Sequence, residues 1–179
     1  MRRWPAIAAA ILAIGALSGV AAYEQAGSKA GEWQEIAWPF PRDGWPAGRA
    51  FRCGAGSCGG IEVYVRPKIG FCNCDRGVAD DDEVDRVADL DLLSERFVPL
   101  EAGRVVRVAD MPGRMRSYDL RMPDGAPRAA VSIAVSRRCD LLVAVAQGKG
   151  GAPEMERVAQ KFLASADMKR WIISAMDGR

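Results

Sequence analysis

Apolar and polar positions alternate with a period of two through much of this chain, and that period sets most of its elements. Ile61-Glu62-Val63-Tyr64-Val65 alternates and is β-branched, which predicts a strand. Pro67 is expected to end that strand or place it at a sheet edge, because proline brings no amide to a ladder. Ile69 to Cys72 reads as a second short strand. The period then changes. Asp80 with Glu83 three residues on resembles a capping box, and Val84, Val87, Ala88 and Asp91 or Leu92 follow at helical spacing. One amphipathic helix is therefore predicted between Asp80 and Leu93.

From Phe97 onward the pattern is that of a β-meander. Strands are predicted over Arg104 to Val108, Met115 to Met122, Ala129 to Ser136 and Cys139 to Ala146, with turn chemistry at Pro123-Asp124-Gly125. The last strand is apolar on both faces, as a central strand covered on both sides would be. Pro153 stands at a favoured first helical position. Met155, Val158, Ala159, Phe162 and Leu163 then recur at i, i+3, i+4, i+7 and i+8, a core-facing stripe. Met168 to Met176 reads as a short second helix or an ordered tail. The order of strands, helix, meander and closing helix defines an α+β class. It implies a single domain whose antiparallel β-sheet, N-terminal strand or strands plus C-terminal meander, is packed by two or three helices.

Residues 1–22 carry a different pattern. Arg2 and Arg3 precede an apolar run from Ala6 to Leu17, and small residues follow as Val20-Ala21-Ala22. That is the order of a cleaved signal peptide. The run falls short of the roughly 20 residues that span a bilayer, so a retained membrane anchor is the alternative. Residues 23–32 are polar and rich in Gly and Ala, a tether, and residues 33–179 make up the domain. The expected location is periplasmic or secreted, or else anchored in the inner membrane and facing the periplasm.

Composition sharpens this picture. A length of 179 residues is enough for one sizeable core without metal or disulfide support. The net charge is +2, and both surplus charges lie in the leader, which leaves 23 basic residues against 23 acidic ones. A balanced domain argues against nucleic acid as partner. Histidine is absent. Its absence removes His-ligated zinc, type-1 copper, His-ligated haem, Ser-His-Asp triads and Cys-His dyads. No nucleophile elbow, phosphate loop or dinucleotide fingerprint occurs.

Four of five cysteines, Cys53, Cys58, Cys72 and Cys74, fall within one stretch around the Ile61–Val65 strand. In an exported chain the first reading is disulfide bonding. Gly-Ala-Gly-Ser between Cys53 and Cys58 is flexible enough to close a small loop. Cys72 and Cys74 point to opposite sides if extended, so a bridge between them is strained. The expected arrangement pairs each with one member of the first couple, clamping the strand. Cys139 is then left over, a free, buried and inert thiol. The alternative is a soft-metal site for copper(I) or zinc through Cys72 and Cys74 with Cys53 or Cys58, Met111 and Met115 being further soft ligands. Thiol–disulfide exchange is weaker, because the Cys-x-x-Cys helix start is missing.

Trp33, Trp38 and Trp45 stand among Pro39, Pro41 and Pro46. They either present an aromatic surface to a partner or lie across the domain with their indoles buried, and the second is favoured. Arg114, Arg116, Arg121, Arg128, Arg137 and Arg138 lie on the meander, with Arg114 and Arg116 on one side of a strand. They form either a face for an acidic partner or a solvated strand face. The acidic run from Asp80 to Asp85 lacks the pattern of a calcium loop and suits a helix start. The reading that results is a non-enzymatic exported accessory or assembly protein, stapled by disulfides. It would bind a protein partner in the cell envelope, with Trp33, Trp38, Trp45, Arg114 and Arg116 as candidate contacts.

Overall fold

The computed structural model describes residues 33–41, 44–71 and 76–177. In chain order the elements are β1 (Trp33–Ile36), β2 (Arg49–Cys53), α1 (Ala55–Cys58), β3 (Glu62–Lys68), α2 (Asp81–Val87), a 3₁₀ turn (Leu90–Leu92), β4 (Arg96–Pro99), β5 (Arg104–Val108), β6 (Met111–Arg121), β7 (Pro127–Arg137), β8 (Asp140–Gly148), α3 (Ala152–Leu163) and α4 (Ala166–Asp177). All eight strands join one antiparallel sheet in the order β1-β2-β3-β8-β7-β6-β4, with β5 pairing the other end of β6. The fold is α+β, as the sequence pattern predicts.

β8 lies in the middle of the sheet and every one of its residues is buried. Its even positions Leu142, Ala144 and Ala146 join Val63, Val65, Ile133 and Met155 under α3 and α4. Its odd positions Leu141, Val143 and Val145 join Val84, Val87, Leu90 and Tyr118 under α2 and the 3₁₀ turn. A strand covered on both faces needs no polar alternation. The stripe on α3 is buried in full, and α4 is a complete helix that buries Met168, Ile172 and Met176 at a spacing of four.

Three expectations are corrected. Pro67 lies inside β3, which is an interior strand. The proline is tolerated because β2 pairs β3 only as far as Val65, so Pro67 meets one neighbour, Leu142 of β8. Ile69 and Gly70 form a turn in place of the start of a second strand, with Gly70 at φ 72° and its amide donating to Asp140 Oδ1 at 2.6 Å. The helix expected over Asp80–Leu93 breaks in two at Asp89, whose φ is 55°. β5 keeps its predicted bounds, while β6, β7 and β8 are each longer than predicted. β6 and β7 approach so closely at Gly113 that a Cβ there would stand 2.0 Å from the Ala134 carbonyl oxygen.

Candidate functional site

The cysteines come first. β2 ends at Cys53, and the chain turns at Gly54 into the single helical turn α1, whose Cys58 amide donates to the Gly54 carbonyl. One turn of helix returns Cys58 beside Cys53, with their Cα atoms 5.9 Å apart, and the two form a disulfide. The local loop therefore closes on itself, and the expected clamp from Cys53 and Cys58 across to Cys72 and Cys74 is overturned. Cys72 and Cys74 lie outside the described residues. Cys139 is also corrected. It stands half-buried in the tight β7–β8 turn and is disulfide-bonded, not a free thiol. Two bridges take four of five sulfurs, so the unreduced, denatured protein is expected to take up one iodoacetamide group, against five after reduction. Intact mass reads this directly, and uptake of three or more without reductant overturns it.

These bonds bear on the metal alternative. Cys53 and Cys58 offer no thiolate while bonded to each other. Among the described residues no group of three or more Cys, Asp or Glu side chains converges on a metal position. Met111 and Met115 are core side chains, the second accepting from Gln160 Nε2 at 3.4 Å.

The arginines expected to face a partner are engaged within the domain. Asp80 caps α2 by accepting the Glu83 amide at 2.9 Å, which accounts for the start of the acidic run. The next carboxylates reach the sheet. Asp81 Oδ1 accepts from Arg114 Nε at 2.9 Å and Nη2 at 2.6 Å, and Asp81 Oδ2 accepts the Gly103 amide at 2.9 Å. The Gly103 amide first and the Arg114 guanidinium second hold the Asp81 carboxyl below its usual range. Asp85 accepts from Arg116 Nη1 at 2.6 Å and from the Tyr118 hydroxyl at 2.6 Å. Burial and that carboxylate push the Tyr118 phenol up. The sequence shows Arg114, Arg116 and Tyr118 on one face of β6, and shows Asp81 and Asp85 four apart on α2. Only the docking of α2 onto β6 brings them together.

The tryptophans are half-buried on the domain. Trp33 meets Phe162 at 4.5 Å, Trp38 meets Phe40 at 5.1 Å and Tyr64 at 6.3 Å, and Trp45 meets Phe71 at 5.1 Å. The favoured reading of a covering arm therefore describes them better than an aromatic face turned outward. Trp38 also roofs a feature that the sequence hides. Arg66 and Lys68, on one face of β3, are 2% and 4% exposed and share the Asp89 carboxylate. The guanidinium of Arg66 lies 5.7 Å from the Trp38 ring and the ammonium of Lys68 lies 5.2 Å from Phe71. This cluster locks the break after α2 to the sheet.

The groups left open lie at one edge of the sheet. β4 and β5 both pair inward with β6, and neither has an outer neighbour among the described residues. Val98, Leu100 and Val105 are 63%, 47% and 74% exposed there. On the helical side of β5, a groove of about 440 Å³ runs between the strand and α3. Among the described residues no helix is long and apolar enough to cross a membrane.

No protein-family model and no curated protein matches this chain. Solved structures do. One is a Pseudomonas aeruginosa protein of unknown function, 12% identical, with the match covering 74% of this chain and 80% of that chain at a TM-score of 0.39. Nothing about activity follows from that likeness.

Proposed function

We propose that this chain is an exported accessory protein of the cell envelope that binds a protein partner through the β4–β5 edge of its sheet. The observation that carries this reading is the exposure of Val98 on β4, Leu100 just beyond it and Val105 on β5, two strands with no outer neighbour among the described residues. Exposed edge strands are templates for pairing and are commonly blunted or used. The bonded Cys53, Cys58 and Cys139 support an oxidising compartment, in line with the leader. The edge replaces Trp33, Trp38, Trp45, Arg114 and Arg116 as the contact surface, because those side chains are engaged within the domain.

The test is site-specific photocrosslinking in the native envelope. A benzoylphenylalanine at Val105 is expected to give one discrete adduct, while the same group at Gln34, on the opposite edge strand β1, serves as the second position. Absence of the adduct at Val105, whether or not Gln34 gives one, or retention of the full-length protein in the cytoplasm on fractionation, sinks the reading.

A further inference from the structure

The groove beside β5 has an apolar floor and a cationic rim. Val106, Ile133 and Leu163 line its floor. A second recess of about 450 Å³ continues it along the outer flank of α3, the two sharing Arg104, Gln160 and Ala164. Around the pair stand Arg104, Arg107, Arg157, Lys161 and Lys169, against the carboxylates of Asp110 and Glu156. Glu156 is engaged already, pairing with Arg104 and accepting from Ser117 Oγ at 2.7 Å. Arg107, Arg157 and Lys169 make no ion pair among the described residues. Arg49, Arg52, Arg114, Arg116 and Arg137 of the sheet, by comparison, each meet a carboxylate, whereas Arg121 and Arg128 donate to neutral oxygens of Gly125 and Gln147. In a domain balanced in charge, this groove and its continuation hold five cationic side chains against two carboxylates.

Two further facts limit the occupant. β5 has no outer neighbour among the described residues, so a segment laid beside it in extended form satisfies its own amides on the strand. Such a segment turns alternate side chains to opposite sides, one set into the groove and one away from it. The floor is recessed and apolar, which suits side chains inserted one at a time, whereas a lipid surface calls for a flat or protruding cationic face.

We propose that the groove between β5 and α3 takes an extended acidic segment of a protein partner, added as a strand to the edge of β5. Apolar side chains of that segment turn into the groove onto Ile133 and Leu163, and its alternate carboxylates turn the other way and meet Arg107. The proposal rests on the partner-binding reading above and gives that partner a site and a chemistry.

The probe is a synthetic peptide, acetyl-Glu-Val-Asp-Val-Glu-Ile-Asp-amide, titrated into the ¹⁵N-labelled protein. Its counterpart has lysine at every acidic position, and vesicles of phosphatidylglycerol and phosphatidylcholine form the third arm. The acidic peptide is expected to shift the amides of β5 and of the α3 face at Gln160 and Leu163, with affinity falling as salt rises. The charge reversal Arg107→Glu is expected to weaken it about fivefold, while leaving the far edge at β1 unshifted. Equal binding of the lysine peptide, shifts confined to other surfaces, or vesicle binding without a peptide response overturns the proposal. If the titration fails while Val105 still yields its photo-adduct, the groove chemistry is wrong and the edge reading stands. If both fail, neither does.

Discussion

Replacing Asp89 with alanine is expected to lower the unfolding free energy by about 3–5 kcal/mol, the cost of leaving buried charge without its partner. Asp89 Oδ2 accepts from Arg66 Nε at 3.1 Å and Nη2 at 2.7 Å, and Oδ1 accepts from Lys68 Nζ at 2.5 Å. Lys68 also donates to the Val87 carbonyl at 3.0 Å, at the end of α2. Without the carboxylate, two desolvated cations face one another across the site. The backbone adds to the loss, because Asp89 has φ 55° and alanine resists that region more than aspartate or asparagine does. Asp89→Asn therefore separates the two effects: it keeps the backbone preference and an acceptor oxygen, and removes only charge. Urea unfolding of both variants measures this. A loss below about 1 kcal/mol in Asp89→Ala would show that the cluster is held by something other than the shared carboxylate.

The second large effect is expected at Phe162. Its ring meets Trp33 at 4.5 Å and Phe51 at 4.9 Å, so one side chain of α3 pins both β1 and β2 to the core. Phe162→Ala removes the ring and leaves a cavity that the sheet cannot close, with an expected loss of about 3–5 kcal/mol. The melting temperature should fall by roughly 10 °C for a domain of this size. Because Trp33 packs on that ring, its fluorescence should move toward that of an exposed indole in the folded variant. Unchanged stability together with unchanged emission would mean that Trp33 is held by other contacts, and would reopen it as a partner-facing residue.

Most of the architecture was legible where apolar period and element length agreed. The strands of the meander, the stripe from Met155 to Leu163 and the doubly apolar β8 all follow from alternation or helical spacing, because these elements bury whole faces. β1, β2 and β4 were not legible. Each is four or five residues long, too short for a period to show, and each is defined by its neighbour more than by its own residues. Pro67 misled for a related reason: its effect depends on where β2 stops, which lies in the pairing and not in the local sequence. The helix break at Asp89 has the same origin, since a carboxylate there is drawn out of helical register by Arg66 and Lys68, more than twenty positions earlier. Cys53 and Cys58 could pair locally only once α1 formed between them. The β4–β5 edge was invisible because exposure of Val98 and Val105 is a property of the assembled sheet.

The order of strands also sets when the sheet can be completed. β6, β7 and β8 follow one another through short turns and pair with their sequence neighbours, so they gather quickly and with little loss of chain entropy. β3 is different: its neighbour on the inner side is β8, and the hydrogen bond from Gln147 to Glu62 closes a separation of 85 residues. β1 and β2 depend on β3 in turn. A chain delivered N-terminus first thus carries the β1-β2-β3 meander without its central neighbour until Gly148 has emerged. The two meanders can each form from near neighbours in sequence, and the single β3–β8 seam that joins them is the long-range step.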